Sequence, residues 1–549
     1  MNQFLITLML ASVMFGSCKK LDRLPETQFS DADFWNTETD LINAANRLYQ
    51  QLDANWVDNR ADDAVNQGGP NSISNGNVII PNTSGDWSDR YDEIFTANNI
   101  LEKGTRTTVT DAVRNRYFAE ARFFRAYAYF SLVQKYGDVP LVLKTLEINS
   151  PDLLMPRATR AAVMTAIYDD LDFAALWLPA RSALPVAQFG RITKSTALAF
   201  KARTALYEGT RAKFRSEAGW QQHLQVAVAA AAQVMTQGHT LYPDYVKLFN
   251  QEGEGATNTE NIFVKVYGVS NTNLLLGHNN SRDLENGRMA PTRNLLRLYL
   301  YTDGLPAYST TNNLLATPSA LFVPEQNESS YNTILDNRDP RLAMTVFRSG
   351  EAAYKGPWVP TTSLGARSAF APKKGFNIID QTINGAATVD RILLRYAEVL
   401  LIYAEATYEL TESISDAVLD LSINKLRTRV GFTKKLSNDF VLANNLNMRE
   451  EIRRERTVEL ALEGFRYDDL MRWKTAELLM PGDLLGAKFV AADWPNTNPA
   501  SLNLNSNGVL VVEPDANRHF DPNKNYLYPV PFNEITLSGG SVVQNPNWQ

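Results

Sequence analysis

The sequence predicts a mainly α protein: a tetratricopeptide-like helical-repeat scaffold carrying a large irregular, loop-rich layer that contains short strands. Three observations predict it. Apolar stripes at helical spacing recur in two blocks of the chain, and alanine recurs on those stripes, so paired helices can approach closely. The stretches between the blocks are rich in Asn, Gly, Ser, Thr and Pro. At 549 residues the chain also exceeds the ~250–300 that a single core organises, so at least two packed subregions are expected.

The chain opens with an apolar run, Phe4 to Phe15, interrupted only by Thr7 and Ser12. This is the length of a signal-peptide core and too short to cross a bilayer. Gly16 and Ser17 supply small residues before Cys18, the only cysteine in the sequence. One cysteine can form neither an intramolecular disulfide nor a Cys-x-x-Cys pair. The arrangement resembles a bacterial lipoprotein signal, in which residues 1–17 are removed and Cys18 is lipidated at the head of a tether, 18–30. Phe15 stands where such signals usually have Leu, and Met1-Asn2-Gln3 carries no basic residue. No later segment approaches the ~18 apolar residues of a membrane span, so a water-soluble body on a tether is expected.

Residues 31–250 form the first helical part. A helix is expected over 31–52, followed by a loop insertion, 53–82. Val113, Tyr117, Ala121, Phe124, Ala128 and Leu132 step by threes and fours, which predicts a long helix over 111–136 capped by Gly137. Thr159 starts the next, with the stripe Val163, Ile167, Leu171, Ala174 and Leu178 before Pro179 ends it. A third helix carries Ala199, Ala202 and Leu206, and a fourth Leu224, Val228, Ala231 and Met235. Residues 251–390 are the loop-rich layer, with strand-like runs such as NIFVKVYGV from Asn261 to Val269. Helical pattern resumes over 391–475, with helices around 394–408, 421–429 and 449–473. An irregular tail, 476–549, is expected to pack on the scaffold.

A net charge of −6 argues against nucleic-acid binding, which needs a basic surface. Neither His-Glu-x-x-His, nor Gly-x-Ser-x-Gly, nor a phosphate loop occurs. The four histidines, His223, His239, His278 and His519, are scattered singly and read as surface residues. Glu455, Glu459 and Glu463 recur every four residues as catalytic carboxylates could. The interleaved Arg453, Arg454, Arg456 and Arg466 favour a structural ion-pair network instead. No catalytic residue, metal site or cofactor is assigned.

Four passages resemble the SusD/RagB family of outer-membrane nutrient-binding lipoproteins of Bacteroidetes. They are RYFAEARFFRAYAYFSLVQKYGDVPLV from Arg116 to Val142, NRDPRL from Asn337 to Leu342, LLRYAEVLLIYAEA from Leu393 to Ala406, and IRRERTVELALEGFRYDDLMRW from Ile452 to Trp473. The ending YLYPVPFNEI…QNPNW reinforces them. The resemblance implies a helical scaffold with an irregular ligand-binding layer and a binder, not an enzyme. It also implies lipid anchoring to the outer membrane facing outward, and delivery of oligosaccharide or polysaccharide to a SusC-like TonB-dependent transporter. Lys19-Lys20-Leu21-Asp22 offers only one acid where such surface proteins often cluster several. A peptide or protein receptor of the same uptake type is the first alternative, and a glycoside hydrolase the second.

Sugar faces pack on aromatic rings while amides and carboxylates take the hydroxyls. Loop aromatics with such neighbours are therefore the candidate ligand contacts: Trp56 with Arg60, Asp62 and Asn66, and Tyr354 with Trp358. Trp87 lies close by but reads as a packing residue.

Overall fold

The computed structural model describes residues 34–50, 52, 58–270, 273–362, 366–495 and 497–548. Cys18, its signal and tether, and Trp56 lie outside the described residues. The protein is mainly helical with a few short strands, a tetratricopeptide-like scaffold under an irregular layer. No helix among the described residues is long and apolar enough to cross a membrane.

The scaffold helices are α1 (Glu38–Gln50), α2 (Gly85–Lys103), α3 (Asp111–Tyr136), α4 (Arg160–Trp177), α5 (Lys194–Lys213), α6 (Trp220–Met235), α7 (Tyr396–Thr411), α8 (Ile423–Arg429), α9 (Met448–Glu459) and α10 (Arg466–Trp473). They pack as neighbours in sequence: α2 on α3, α3 on α4, α5 on α6, then α7 on α6 and α9. Helix α3 forms over the residues its stripe predicts, with Tyr117, Ala121, Phe124, Ala128 and Leu132 all buried. Thr110 caps its start, and Gly137, at φ +75°, ends it. Thr159 likewise caps α4. Gly209 permits the close α5–α6 approach, since a Cβ there would meet the Leu224 side chain at 2.8 Å.

Four strands matter for the layer. β1 (Ala64–Asn66) pairs antiparallel with β3 (Met289–Pro291), and β2 (Asn261–Lys265) with β4 (Arg391–Arg395). The β2–β4 pair leads straight into α7 and so hinges the layer to the scaffold. Residues 526–548 return to the first helices: Asn545 Nδ2 donates to the Tyr136 carbonyl at 3.1 Å, and Arg157 Nη2 donates to Asn545 Oδ1 at 2.6 Å. Tyr528 N donates to the Lys135 carbonyl at 2.7 Å.

Three expectations are corrected. The 449–473 segment is not one helix. It breaks after Glu459 at Leu462 (φ +62°) and Gly464 (φ +88°), which turn the chain into α10. The acids of that segment are paired, but with partners from elsewhere. Glu459 accepts from Arg395 Nη1 at 2.8 Å, from Arg341 Nη1 at 3.1 Å and from Arg429. Glu455 binds Arg341 and Arg427, and Glu463 binds Arg395 and Lys374. The interleaved arginines look away: Arg454 to Glu451, Arg456 to Asp469, Arg466 to Asp62, and Arg453 over the Phe214 and Trp473 rings. The inward face of α9 is enclosed by other elements, whose cations reach it first. Finally, His239 is no surface residue. It is 5% exposed, with Nδ1 on the Thr259 carbonyl at 2.7 Å and its ring stacked on Tyr396.

Beside the β2–β4 pair, Glu254 Oε1 accepts from the Asp390 amide and Asp390 Oδ1 from the Tyr267 amide, both at 2.8 Å. Burial pushes Asp390 up to about 7. Burial, with the Asp390 charge next to it, pushes Glu254 up to about 8. A carboxyl held above its unfolded value binds more protons folded than unfolded, so stability falls as pH rises from about 4 through about 7. Asp390→Asn keeps the acceptor for Tyr267 and removes the charge. Its gain in stability should grow from near zero at about pH 4 to on the order of 3 kcal/mol above about pH 8. A gain independent of pH, read by thermal melts across that range, would contradict this.

Candidate functional site

The residues expected at a ligand site separate into two places. The first is the outer face of the layer. Ala352–Ala353 and Gly356–Pro357 form a short hairpin whose turn is Tyr354–Lys355, with Gly356 at φ +116°. Alternation puts Ala353 inward and Tyr354 outward, its ring 50% exposed. Lys355 fixes the turn: its amide donates to Glu285 Oε1 at 3.1 Å and its Nζ to Asn286 Oδ1 at 2.6 Å. From there the chain runs through Arg288, paired with Asp283 at 3.0 Å, into β3. Met289 of β3 faces Asn66 of β1. Asn66 Oδ1 accepts from the Gly68 amide at 3.1 Å, which shapes the exposed turn 66–69, and Gln67 N donates to the Arg288 carbonyl at 2.8 Å. Segment 283–291 thus joins Tyr354 to Asn66, two expected site residues 288 positions apart in the sequence. One half-exposed ring, several amides and a charged pair share this strip of surface.

Trp358 does not join them. It is 7% exposed and packed on Tyr331 and Phe347, so its faces are covered by core, and the expectation that it contacts ligand is corrected. Asp62 is also committed inward, its two oxygens on Arg466 Nε and Nη2 at 2.7 and 2.9 Å. Among the described tryptophans only Trp177 and Trp220 escape full burial, and both belong to the scaffold. Trp87 packs on Tyr136 and Tyr91 as a core residue. Lys355, Asn286 and Arg288 are additions that sequence reasoning missed, since only the hairpin and the β1–β3 pairing bring them together.

The second place is a cleft of about 480 Å³ between scaffold and layer, and Arg60 lies there. Arg60 Nε donates to Asp58 Oδ1 at 2.9 Å and its Nη1 to the Tyr528 hydroxyl at 3.0 Å, with the guanidinium 4.4 Å over the Tyr467 ring. Helices α3 and α5 supply Tyr127, Phe130, Gln134, Arg203 and Tyr207, and α10 supplies Asp468. Arg60 is thus part of this interior wall and not of the outer strip.

No group of three or more His, Cys, Asp or Glu side chains suited to a metal ion occurs among the described residues. The arrangement on the outer strip offers stacking and hydrogen bonding.

The chain is similar to known proteins over most of its length. Residues 247–548 match the model of the SusD family, and residues 22–206 match one described as starch-binding associating with outer membrane. A SusD-like protein of Formosa agariphila, P38, is 26% identical over 514 residues, covering 90% of this chain and 94% of its own. The crystal structure of a SusD-like carbohydrate binding protein from Bacteroides fragilis superposes with a TM-score of 0.75 at 25% identity, over 92% of this chain and 99% of that one. A laminarin binding SusD-like protein shares the fold at a TM-score of 0.59 and 21% identity, over 93% and 100%.

Proposed function

Since this chain belongs to the SusD family, whose model it matches over residues 247–548, we propose that it captures a glycan at the outer membrane and hands it to a SusC-like TonB-dependent transporter. The observation that carries the binding half is the outer strip, where Tyr354 stands half exposed at a braced turn beside Asn286, Arg288 and Asn66. A sugar face stacks on the ring and its hydroxyls meet the amides and the Arg288–Asp283 pair. The carbohydrate-binding description of the Bacteroides fragilis relative and the starch-binding description of the N-terminal family model support this ligand class. Binding is non-covalent, needs no cofactor and changes no bond in the ligand. The signal-like run ending at Cys18 supports attachment to the membrane by lipid.

The test is titration of the purified protein with soluble starch and laminarin. Saturable binding to a glycan is expected, weakened about three- to tenfold in Tyr354→Ala with the melting temperature unchanged. Tyr354 is half exposed on a hairpin turn outside the buried core, so folding should not depend on it. Full affinity in Tyr354→Ala would remove the strip from the site, and no response to either polymer or to a broader glycan panel would sink the ligand class.

A further inference from the structure

The cleft between scaffold and layer has a chemistry of its own. Most of its charges are spent on neighbours: Asp58 on Arg60, Asp86 on Lys135, Arg203 on Glu398, and Asp469 on Arg456 and Arg472. Asp468 is the exception. Its carboxylate has no ion-pair partner among the described residues, and Gln134 Nε2 donates to Oδ2 at a long 3.3 Å. Tyr207, 6% exposed, lines the same cleft with a hydroxyl for which the described residues supply no hydrogen-bond partner. Both side chains line the cleft, and the Asp468 charge acts on the Tyr207 hydroxyl. Phe130, Phe465 and Tyr467 add apolar surface, Tyr467 with the Arg60 guanidinium over its ring and Phe465 with those of Arg203 and Arg456.

We propose that this cleft is a second, enclosed binding site, for a neutral sugar of one or two rings, separate from the outer strip. The ligand class follows from the walls. With the lining cations spent on neighbours, an unpaired carboxylate calls for hydroxyl donors and disfavours an anion beside it, so a neutral sugar is preferred over uronic acids and sulfated sugars. An unpartnered phenol both donates and accepts, as a vicinal diol requires. Ring faces flanked by such groups fit the apolar side of a pyranose. The volume, about 480 Å³, lies within the range of small-ligand sites, ~300–1,000 Å³, and is too small for a polymer chain. A site of this size holds a short fragment while the outer strip holds the long chain, so the protein would sense small sugars and polymer separately.

Calorimetric titration of the whole protein with maltose, D-glucose and D-glucuronate tests the proposal. Maltose or glucose should bind, and glucuronate should bind at least tenfold more weakly. Tyr207→Phe and Asp468→Asn should each weaken the neutral sugar about tenfold, while Tyr354→Ala leaves it unchanged. Because Asp468→Asn could disturb packing, hydrogen exchange on the unaltered protein gives an independent reading. Added maltose should protect amides around residues 203–208 and 464–472. No binding of either neutral sugar, glucuronate binding as tightly as glucose, full affinity in Tyr207→Phe, loss of affinity in Tyr354→Ala, or no protection of those segments would each overturn it. Polymer binding lost in Tyr354→Ala with no maltose binding would remove the cleft site alone and leave the outer strip standing.

Discussion

Glu459→Ala should cost about 3–5 kcal/mol of folding stability, a large share of the ~5–15 kcal/mol typical of a domain. Glu459 is fully buried and holds three guanidiniums, those of Arg341, Arg395 and Arg429. Those arginines come from the layer, from β4 and from α8, so one carboxylate fixes three segments to the end of α9. Removing it leaves cations in a low-dielectric interior with their donors unsatisfied. Arg395 retains Glu260 and Glu463, and Arg341 retains Asp339 and Glu455, which limits the loss. Glu459→Gln keeps an acceptor and should lose less. Urea unfolding followed by circular dichroism measures both, and a loss under about 1 kcal/mol for Glu459→Ala would show that the cluster does not clamp the layer.

Acid should unfold the protein steeply between about pH 4.5 and about pH 2. Despite the opposing effect of burial, Arg472 holds Glu405 near 2, Arg395 and Lys374 hold Glu463 near 2, and Arg160 and Arg211 hold Glu208 near 2. Arg429, Arg395 and Arg341 hold Glu459 lower still. A carboxyl depressed below its unfolded value of 4.5 adds stability that is complete above that value and is lost as pH falls toward the folded one. Each such group contributes on the order of 3 kcal/mol, and together they exceed what a domain can lose. Since Asp390 and Glu254 cost stability at higher pH, the optimum should sit on the acid side of neutrality, near about pH 5. Unfolding free energies at stepped pH values read the curve. A flat profile below about pH 4.5 would show that the buried carboxylates are not charged in the folded protein.

The helices were legible where one face was purely apolar. Helix α3 is marked by its Tyr117-to-Leu132 stripe and by Gly137, and its two ends fall where those residues place them. Helix α2 gave no such pattern, because its buried face includes Glu93, Thr96 and Asn98 beside Ile94, Ala97 and Ile100. Periodicity also ran across the break at 460–465, since Leu460, Ala461 and Leu462 stay buried through the turn and only Gly464 betrays it. At the site the difficulty was direction. Tyr354 and Trp358 are loop aromatics four residues apart, and nothing local tells the outward ring from the inward one. The hairpin register decides, and it depends on pairing that a linear pattern does not carry. Likewise Arg60 and Asp62 are near neighbours in sequence, yet one borders the interior cleft and the other is locked to Arg466. Charge spacing revealed that α9 carries a network but not with whom, because Arg341, Arg395 and Arg429 arrive from up to 118 residues away.

The return of residues 526–548 to α3 and α4 sets a timetable for the molecule. A ribosome delivers the Tyr136 and Lys135 carbonyls some four hundred residues before Asn545 and Tyr528, the groups that occupy them. The clasp cannot close until that last segment has been made. The early helices must therefore wait with the Tyr136 and Lys135 carbonyls uncovered, exposed to mispairing for as long as synthesis lasts.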